Sequence, residues 1–247
     1  MKLLLDMGNT RLKWALQEQP AGWLARGAVD WQPGMTAALD SAWADLPRPV
    51  TIIAASVVDA VREARVTNVT ERLFACAPSW LRTPASACGV RNAYAEPQRL
   101  GVDRFLAMVA AHADGHAPCI VAGAGTALTL DALAADGQHL GGLIAPGPKL
   151  MQQSLLDATV RVRPDRAGDI LELADNTADA VASGCWQAAA ALIERFAMRL
   201  APRLGASTPT LILGGGDAAC LASLLSIPVQ LSQDSVLHGL AVWANTP

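Results

Sequence analysis

The chain has 247 residues, 52% of them hydrophobic and 17% charged, with a formal net charge of −3. That length suits one large domain or two modest ones with a sizeable core. A basic footprint is absent, which argues against nucleic acid as the main partner, and the longest apolar stretches are broken by Gly, Asp or His, which argues against a membrane-spanning helix. Five cysteines, at positions 76, 88, 119, 185 and 220, show no Cys-x-x-Cys spacing. They predict reduced thiols in a cytoplasmic protein, not a disulfide framework or a zinc site. The start of the chain reaches Asp6 after only three leucines, too soon for a signal peptide.

In chain order, Leu3-Leu4-Leu5 runs into Asp6-Met-Gly-Asn-Thr-Arg-Leu-Lys13, and a second apolar run follows to Leu16. This predicts two strands joined by a tight turn at Gly8, where glycine supplies a positive φ and lets a ligand approach the backbone. Asn9 and Thr10 add donors and acceptors. Asp6, at the strand end, can hold hydrated Mg²⁺, and Lys13 adds positive charge. Only Lys2, Lys13 and Lys149 are lysines, so one beside a Gly turn is noteworthy. The set suits a nucleotide phosphate tail. It is not a Walker A loop, because the Gly-Lys-Ser/Thr ending and the following helix are missing. An ordinary hairpin turn would use the same residues.

Residues 23–29 predict a third strand, 35–46 a helix with Thr36 as N-cap, 50–55 a buried strand, and 57–76 one or two helices. That order suggests a mixed sheet with helices packed on it. Residues 84–99 read as a long irregular loop around Tyr94, the only tyrosine, fit for a binding loop or a surface linker. Leu100-Gly-Val-Asp-Arg104 opens a helix to about residue 113, with an apolar stripe at 102, 105, 106, 109 and 110. Asp103 suits the helix start. Arg104 is disfavoured there by the helix dipole unless it meets an anion, such as a substrate carboxylate.

A second set begins with a strand over 119–122. It enters Gly123-Ala-Gly125-Thr126-Ala-Leu-Thr129-Leu-Asp131, repeating the logic of the first turn. A strand over 140–145 follows, then Pro146-Gly147-Pro148 and a helix to about 156. The charged stretch 158–175, with Arg161, Arg163, Asp165, Arg166 and Asp169, reads as a mobile loop. Asn176-Thr177 caps a long helix over 178–204, whose Ala-rich middle fits close packing or a dimer face. A strand over 210–213, the helix entry Gly214-Gly-Gly-Asp217, a short strand near Val229 and a helix over 235–243 complete the chain. His112, His116, His139 and His238 stand at no ligand spacing and read as structural or surface. Trp14, Trp23, Trp31 and Trp43 read as core and interface.

Taken together, six segments resemble the type III pantothenate kinases, including their Bvg accessory factor branch, over residues 3 to about 240. They are Asp6-x-Gly-Asn-Thr-x-x-Lys13, Gly101-x-Asp-Arg104, Gly125-Thr-Ala-x-Thr-x-Asp131, Gly141-Gly-x-Ile-x-Pro-Gly147, Asn176-Thr177 and Gly214-Gly-Gly-Asp217. The resemblance implies an α/β fold class, the duplicated ribonuclease-H-like arrangement of the acetate and sugar kinase, heat-shock ATPase and actin superfold, with mixed sheets flanked by helices. It divides the chain into halves over 1–117 and 118–247, each with one phosphate loop, the second also with a dimer helix. It implies ATP-dependent phosphorylation of pantothenate to 4'-phosphopantothenate, the first step of coenzyme A biosynthesis. The enzyme would be a cytoplasmic homodimer using Mg²⁺ and a monovalent cation, K⁺ or NH₄⁺.

Carried over by position, Asp6 would hold Mg²⁺ through water, with Gly8, Asn9, Thr10 and Lys13 along the phosphates and Gly125 and Thr126 in the second phosphate loop. Asp103 would be the general base. Tyr94, Gly101, Val102, Asp103, Arg104 and Thr177 would meet pantothenate, with Thr177 supplied across a dimer. The family usually has Asp, a K⁺ ligand, two residues before the Gly-Thr. This chain has Gly123 there, as the Bvg accessory factor branch also departs, which puts the cation site in question. A nucleotide-binding regulator with little turnover, or a kinase of another hydroxylated acid, are the rival readings.

Overall fold

Strict alternation of side chains along the first strand gives the N-terminal sheet two covered faces. The computed structural model describes residues 1–18, 22–160, 162, 164, 166–205 and 209–246; Arg161, Arg163 and Asp165 of the charged stretch lie outside them. The chain forms two units, Met1–Asp114 with Asp234–Pro247, and Gly115–Gln233.

In the first unit, β1 (Lys2–Met7), β2 (Arg11–Gln17), β3 (Trp23–Asp30), β4 (Thr51–Ser56) and β5 (Ser79–Leu81) form one sheet in the order β3-β2-β1-β4-β5. The β1–β2 and β2–β3 pairs are antiparallel, while β1–β4 and β4–β5 are parallel. Leu3, Leu5 and Met7 point to one face with Leu12, Trp14 and Leu16. There they pack with helices α1 (Met35–Trp43) and α2 (Ala60–Phe74). Leu4 and Ala15 point to the other face, against α3 (Val102–Ala113) and the last helix, α7 (Ser235–Asn245). Helices α3 and α7 touch closely, because a Cβ on Gly239 would run into the Leu106 carbonyl. The last helix, expected with the second half, therefore packs in the first unit.

Several expectations shift in detail. Helix α1 starts after Gly34, at φ 95°, with no side-chain cap, so Thr36 does not cap it. Residues 57–76 hold one helix, started by the Asp59 carboxylate accepting the Arg62 N–H at 2.9 Å. The loop over 84–99 is not wholly irregular. It contains a small hairpin, β6 (Ser86–Ala87) and β7 (Val90–Arg91), and a 3₁₀ turn at Pro97–Arg99.

In the second unit, β8 (Cys119–Ala124), β9 (Ala127–Leu133), β10 (His139–Pro146), β11 (Thr210–Gly214) and β12 (Val229–Ser232) take the order β10-β9-β8-β11-β12. The pairings repeat the first sheet: two antiparallel, then two parallel. This repeat is the expected duplicated ribonuclease-H-like fold. Helix α4 (Pro148–Ala158) follows β10, α5 (Thr177–Leu200) continues into a 3₁₀ turn at Ala201–Leu204, and α6 (Ala218–Ala222) follows β11. Ala189 and Ala190 of α5 are buried against Ile120, Ala122 and Leu130, while Ala188 and Ala191 are exposed. His139 is buried with Asp131, its Nε2 2.9 Å from the carboxylate. The described part of the charged stretch is anchored: the Asp169 N–H donates to Asp179 at 2.8 Å and the Leu171 N–H to Ser183 Oγ at 2.9 Å.

Candidate active site

Period-two alternation along β1 puts Asp6 on the same face as Leu4, towards α3 and α7. Lys13 lies directly across from Asp6 on β2. Helix α3 begins at Val102 and α7 at Ser235, so their starts bring Asp103 and Asp234 to this end of the sheet. Lys13 Nζ donates to Asp234 at 2.8 Å, and Arg26 stands 3.6 Å from the same carboxylate. Burial, then the negative charge of Asp103, push the Asp6 carboxyl up to about 7; Lys13 opposes the shift and Asp234 adds to it. The unit thus groups Asp6, Lys13 and Asp103 as the sequence predicts. It also adds Asp234, which sequence reading missed. No local signal could have found it, because its role depends on a partner 221 positions away.

A carboxylate whose proton is held this firmly, among other carboxylates, is a hard-oxygen donor that suits Mg²⁺. Among the described residues no group of three or more His, Cys, Asp or Glu could hold a metal. Asp6 could offer one oxygen to a divalent cation that takes its remaining ligands from water and phosphate.

The Gly8 turn differs from expectation. Gly8 does not have the left-handed φ that a tight hairpin turn was expected to need. Its N–H donates to the Arg11 carbonyl at 3.1 Å, and a Cβ there would meet that oxygen at 3.5 Å, an ordinary contact. The turn is instead held from outside by Trp31. The indole Nε1–H donates to the Gly8 carbonyl at 2.6 Å, and the Trp31 backbone N–H donates to the Thr10 carbonyl at 3.2 Å. The Arg62 guanidinium lies 5.5 Å from the indole ring centre. Asn9 and Thr10 are exposed and line a cavity of about 390 Å³ with Arg11, Asp30, Trp31, Gln32 and Arg62. Trp31, read from sequence among core and interface residues, is a prop for this turn.

At the start of α3, Asp103 Oδ1 accepts the Arg104 N–H at 2.8 Å. A Cβ on Gly101 would sit 2.5 Å from that same oxygen, so a side chain there would displace the carboxylate from this position. Arg104 is buried. Its guanidinium donates to the Tyr94 hydroxyl at 3.2 Å and lies 6.0 Å from the ring centre. The structure therefore brings Tyr94, Gly101, Asp103 and Arg104 together. Val102 points into the core with Leu106, leaving its backbone as the part a substrate could meet. Asn92, which sequence reading passed over, fixes the Tyr94 loop by accepting the Tyr94 N–H at 2.9 Å and donating to the Pro97 carbonyl at 3.0 Å.

In the second unit, the Gly125 N–H donates to the Ala127 carbonyl at 3.1 Å, as Gly8 does to Arg11. This turn is enclosed by backbone. The Gly147 N–H donates to the Thr126 carbonyl at 2.9 Å, and a Cβ on Gly147 would collide with the Gly125 carbonyl. Gly215, at φ 104°, faces the Ala124 carbonyl, and the Asp217 N–H donates to that oxygen at 3.1 Å. Lys149 Nζ donates to Asp217 at 2.5 Å. Thr177 is the exposed first residue of α5, capped by Asn176, whose Oδ1 accepts the Asp179 N–H at 3.1 Å. Hydrogen bonds from Asn176, then Arg166 and the Asp169 N–H, hold the Asp179 carboxyl down at about 2.

A profile of the type III pantothenate kinase family matches residues 2–199. A type III pantothenate kinase from Chromobacterium violaceum is 40% identical over 247 residues, covering 100% of both chains. Among solved structures, a protein from Campylobacter jejuni described as a Baf family transcriptional activator has a TM-score of 0.61 at 18% identity, with 98% of each chain covered. The activator of 2-hydroxyisocaproyl-CoA dehydratase from Clostridium difficile, solved with bound ADPNP, has a TM-score of 0.55 at 12% identity, with 98% of this chain and 93% of that chain covered. These two likenesses carry the fold. The full-length match and the family profile, together with the grouped Asp6, Asp103, Arg104 and Tyr94, carry more: this chain belongs to the type III pantothenate kinase family.

Proposed function

We propose that the chain transfers the γ-phosphoryl group of ATP to the primary hydroxyl of pantothenate, giving 4'-phosphopantothenate and ADP. Family membership supports the reaction, and the Asp103–Arg104 start of α3 carries the site assignment. There a carboxylate and a buried guanidinium stand side by side, next to Asp6. Arg104, stacked on Tyr94, suits a bidentate grip on the pantothenate carboxylate. Asp103 takes the hydroxyl proton as the oxygen attacks the γ-phosphorus and the bond to the β-phosphate oxygen breaks. Most of the rate gain then comes from positioning and electrostatics.

Asp6 would hold Mg²⁺, which when bound offsets phosphate charge. Gly8, Asn9, Thr10 and Lys13 would lie along the phosphates at the first turn, where the exposed Asn9 and Thr10 side chains supply donors, and Gly125 and Thr126 would line them at the second. In a homodimer, Thr177 serves the neighbouring protomer's pantothenate site; an exposed run of small residues along α5, Ala180, Gly184, Ala188 and Ala191, supports that pairing. The free cysteines among the described residues fit the cytoplasm. No described helix is long and apolar enough to cross a membrane.

The deciding measurement is coupled ADP release with and without pantothenate. Pantothenate-dependent turnover is expected. Release that ignores pantothenate, or that responds instead to a different hydroxy acid, overturns the substrate.

A further inference from the structure

The doubled fold allows one turn to be compared with the other, position by position. Strands β1 and β8 are equivalent in the two sheet orders. Asp6 and Gly123 each stand next to last in their strand, two residues before the turn glycine. Across from Asp6 lies Lys13; across from Gly123 lies Thr129. The first turn therefore has a carboxylate where the second has none. A Cβ on Gly123 would stand 2.7 Å from Thr129 Oγ1, so a side chain there would displace that hydroxyl. The carboxylate that does attend the second turn is Asp217, fixed through its N–H to the Ala124 carbonyl, and its charge is already met by Lys149. A K⁺ or NH₄⁺ ion does not fit this donor set.

Lys149 itself has an unusual placement. It is the second residue of α4, where the helix dipole disfavours a cation. Asp217 is almost fully buried and explains why the ammonium is held there, yet 72% of the Lys149 side chain stays open to solvent. An ammonium has three donors, and one bond to Asp217 leaves the others for an anion. Gly147 and Gly215 press the neighbouring backbone against the turn with no side chain between.

We infer that Lys149, tethered by Asp217, is the resident cation of the second turn, that it binds nucleotide phosphate, and that it makes the protein independent of added monovalent cation. This rests on the kinase reading but is tested apart from it. ADP release and calorimetric ATP-analogue binding are measured in KCl and in tetramethylammonium chloride at equal ionic strength. The wild-type chain should change less than about twofold in either readout. Lys149→Met should bind the nucleotide about tenfold to hundredfold more weakly in tetramethylammonium and recover part of that loss in KCl or NH₄Cl, while Lys149→Arg keeps the wild-type pattern. A wild-type chain whose nucleotide affinity drops about tenfold without K⁺ overturns the inference. So does a folded Lys149→Met with unchanged affinity. Absence of turnover in every salt, with salt-independent nucleotide binding intact, would sink the kinase reading and leave the Lys149 role standing. Should Lys149→Met not fold, the wild-type salt exchange decides alone.

Discussion

The β1–β2 turn and the β8–β9 turn arise from the same strand order, each with its glycine N–H donating to the start of the next strand, yet they are supported in opposite ways. The first is open and charged. Side chains from distant segments prop it, Trp31 from behind and Asp234 through Lys13, with carboxylates Asp6 and Asp103 at its base. The second is closed by backbone, with Gly147 and Gly215 against its carbonyls and one tethered ammonium. Duplication of a sheet thus preserves register while the two copies divide their tasks. One copy carries the carboxylates assigned above to proton transfer and Mg²⁺ in the proposed reaction, and the other is shaped by its backbone.

The comparison can be broken most severely at the base of the first turn. Asp103→Asn should lower kcat by about 10²–10⁴-fold while nucleotide affinity stays near wild type; turnover near wild type would remove Asp103 from the role of base. At the second turn the expected failure is structural. Gly147→Ala forces a Cβ into the Gly125 carbonyl and should cost about 1–3 kcal/mol in denaturant unfolding. At the first turn, where no such backbone wall stands, Gly8→Ala meets only an ordinary contact and should leave the unfolding midpoint nearly unchanged, whatever it does to nucleotide binding. Equal stability losses at the two glycines would contradict the division into an open and a closed turn.

A smaller effect is expected at the prop. Trp31→Phe keeps the ring and removes the bond to the Gly8 carbonyl. It should raise the KM for ATP about threefold to tenfold, the scale of one hydrogen bond, with kcat little altered. A slope with pH is expected as well. The Asp6 carboxyl, raised from 3.8 to about 7 in the folded chain, holds a proton between those values that the unfolded chain has released. Stability of the ligand-free protein is therefore fullest below about pH 4 from this group and declines as pH rises to about 7. Melting temperatures across that range should show the decline, and Asp6→Asn should flatten it. Because Mg²⁺ competes with the same proton, Mg²⁺-dependent turnover should weaken below pH 7.

How legible these features were in the sequence depended on range. Short apolar runs, such as Leu3–Leu5 and those over 119–122 and 210–213, and the two Gly turns disclosed the doubled sheet. The strands Ser79–Leu81, Ser86–Ala87 and Val90–Arg91 are too short to show a period and were not read. The motif residues Asp6, Lys13, Asp103, Arg104 and Tyr94 were legible as types at spacing, and the first unit gathers them. Trp31 and Asp234 were not, because an indole or an aspartate acquires its role only from a partner far along the chain. The positive φ expected at Gly8 was inferred from turn chemistry, and a longer turn propped by Trp31 removed the need for it.

The return of α7 to the first unit also bears on biosynthesis. Residues 115–233 are contiguous, so a ribosome delivers that unit whole while the first is still short of one wall of its core. Leu237 and Leu240, which pack with Leu4 and Leu106, follow that whole unit in the chain, and with them Asp234, the partner of Lys13. The usual order, in which an N-terminal unit is complete before the next is made, does not apply here: the Asp6 end of the first unit gains its last contacts only after residues 115–233 have been synthesised.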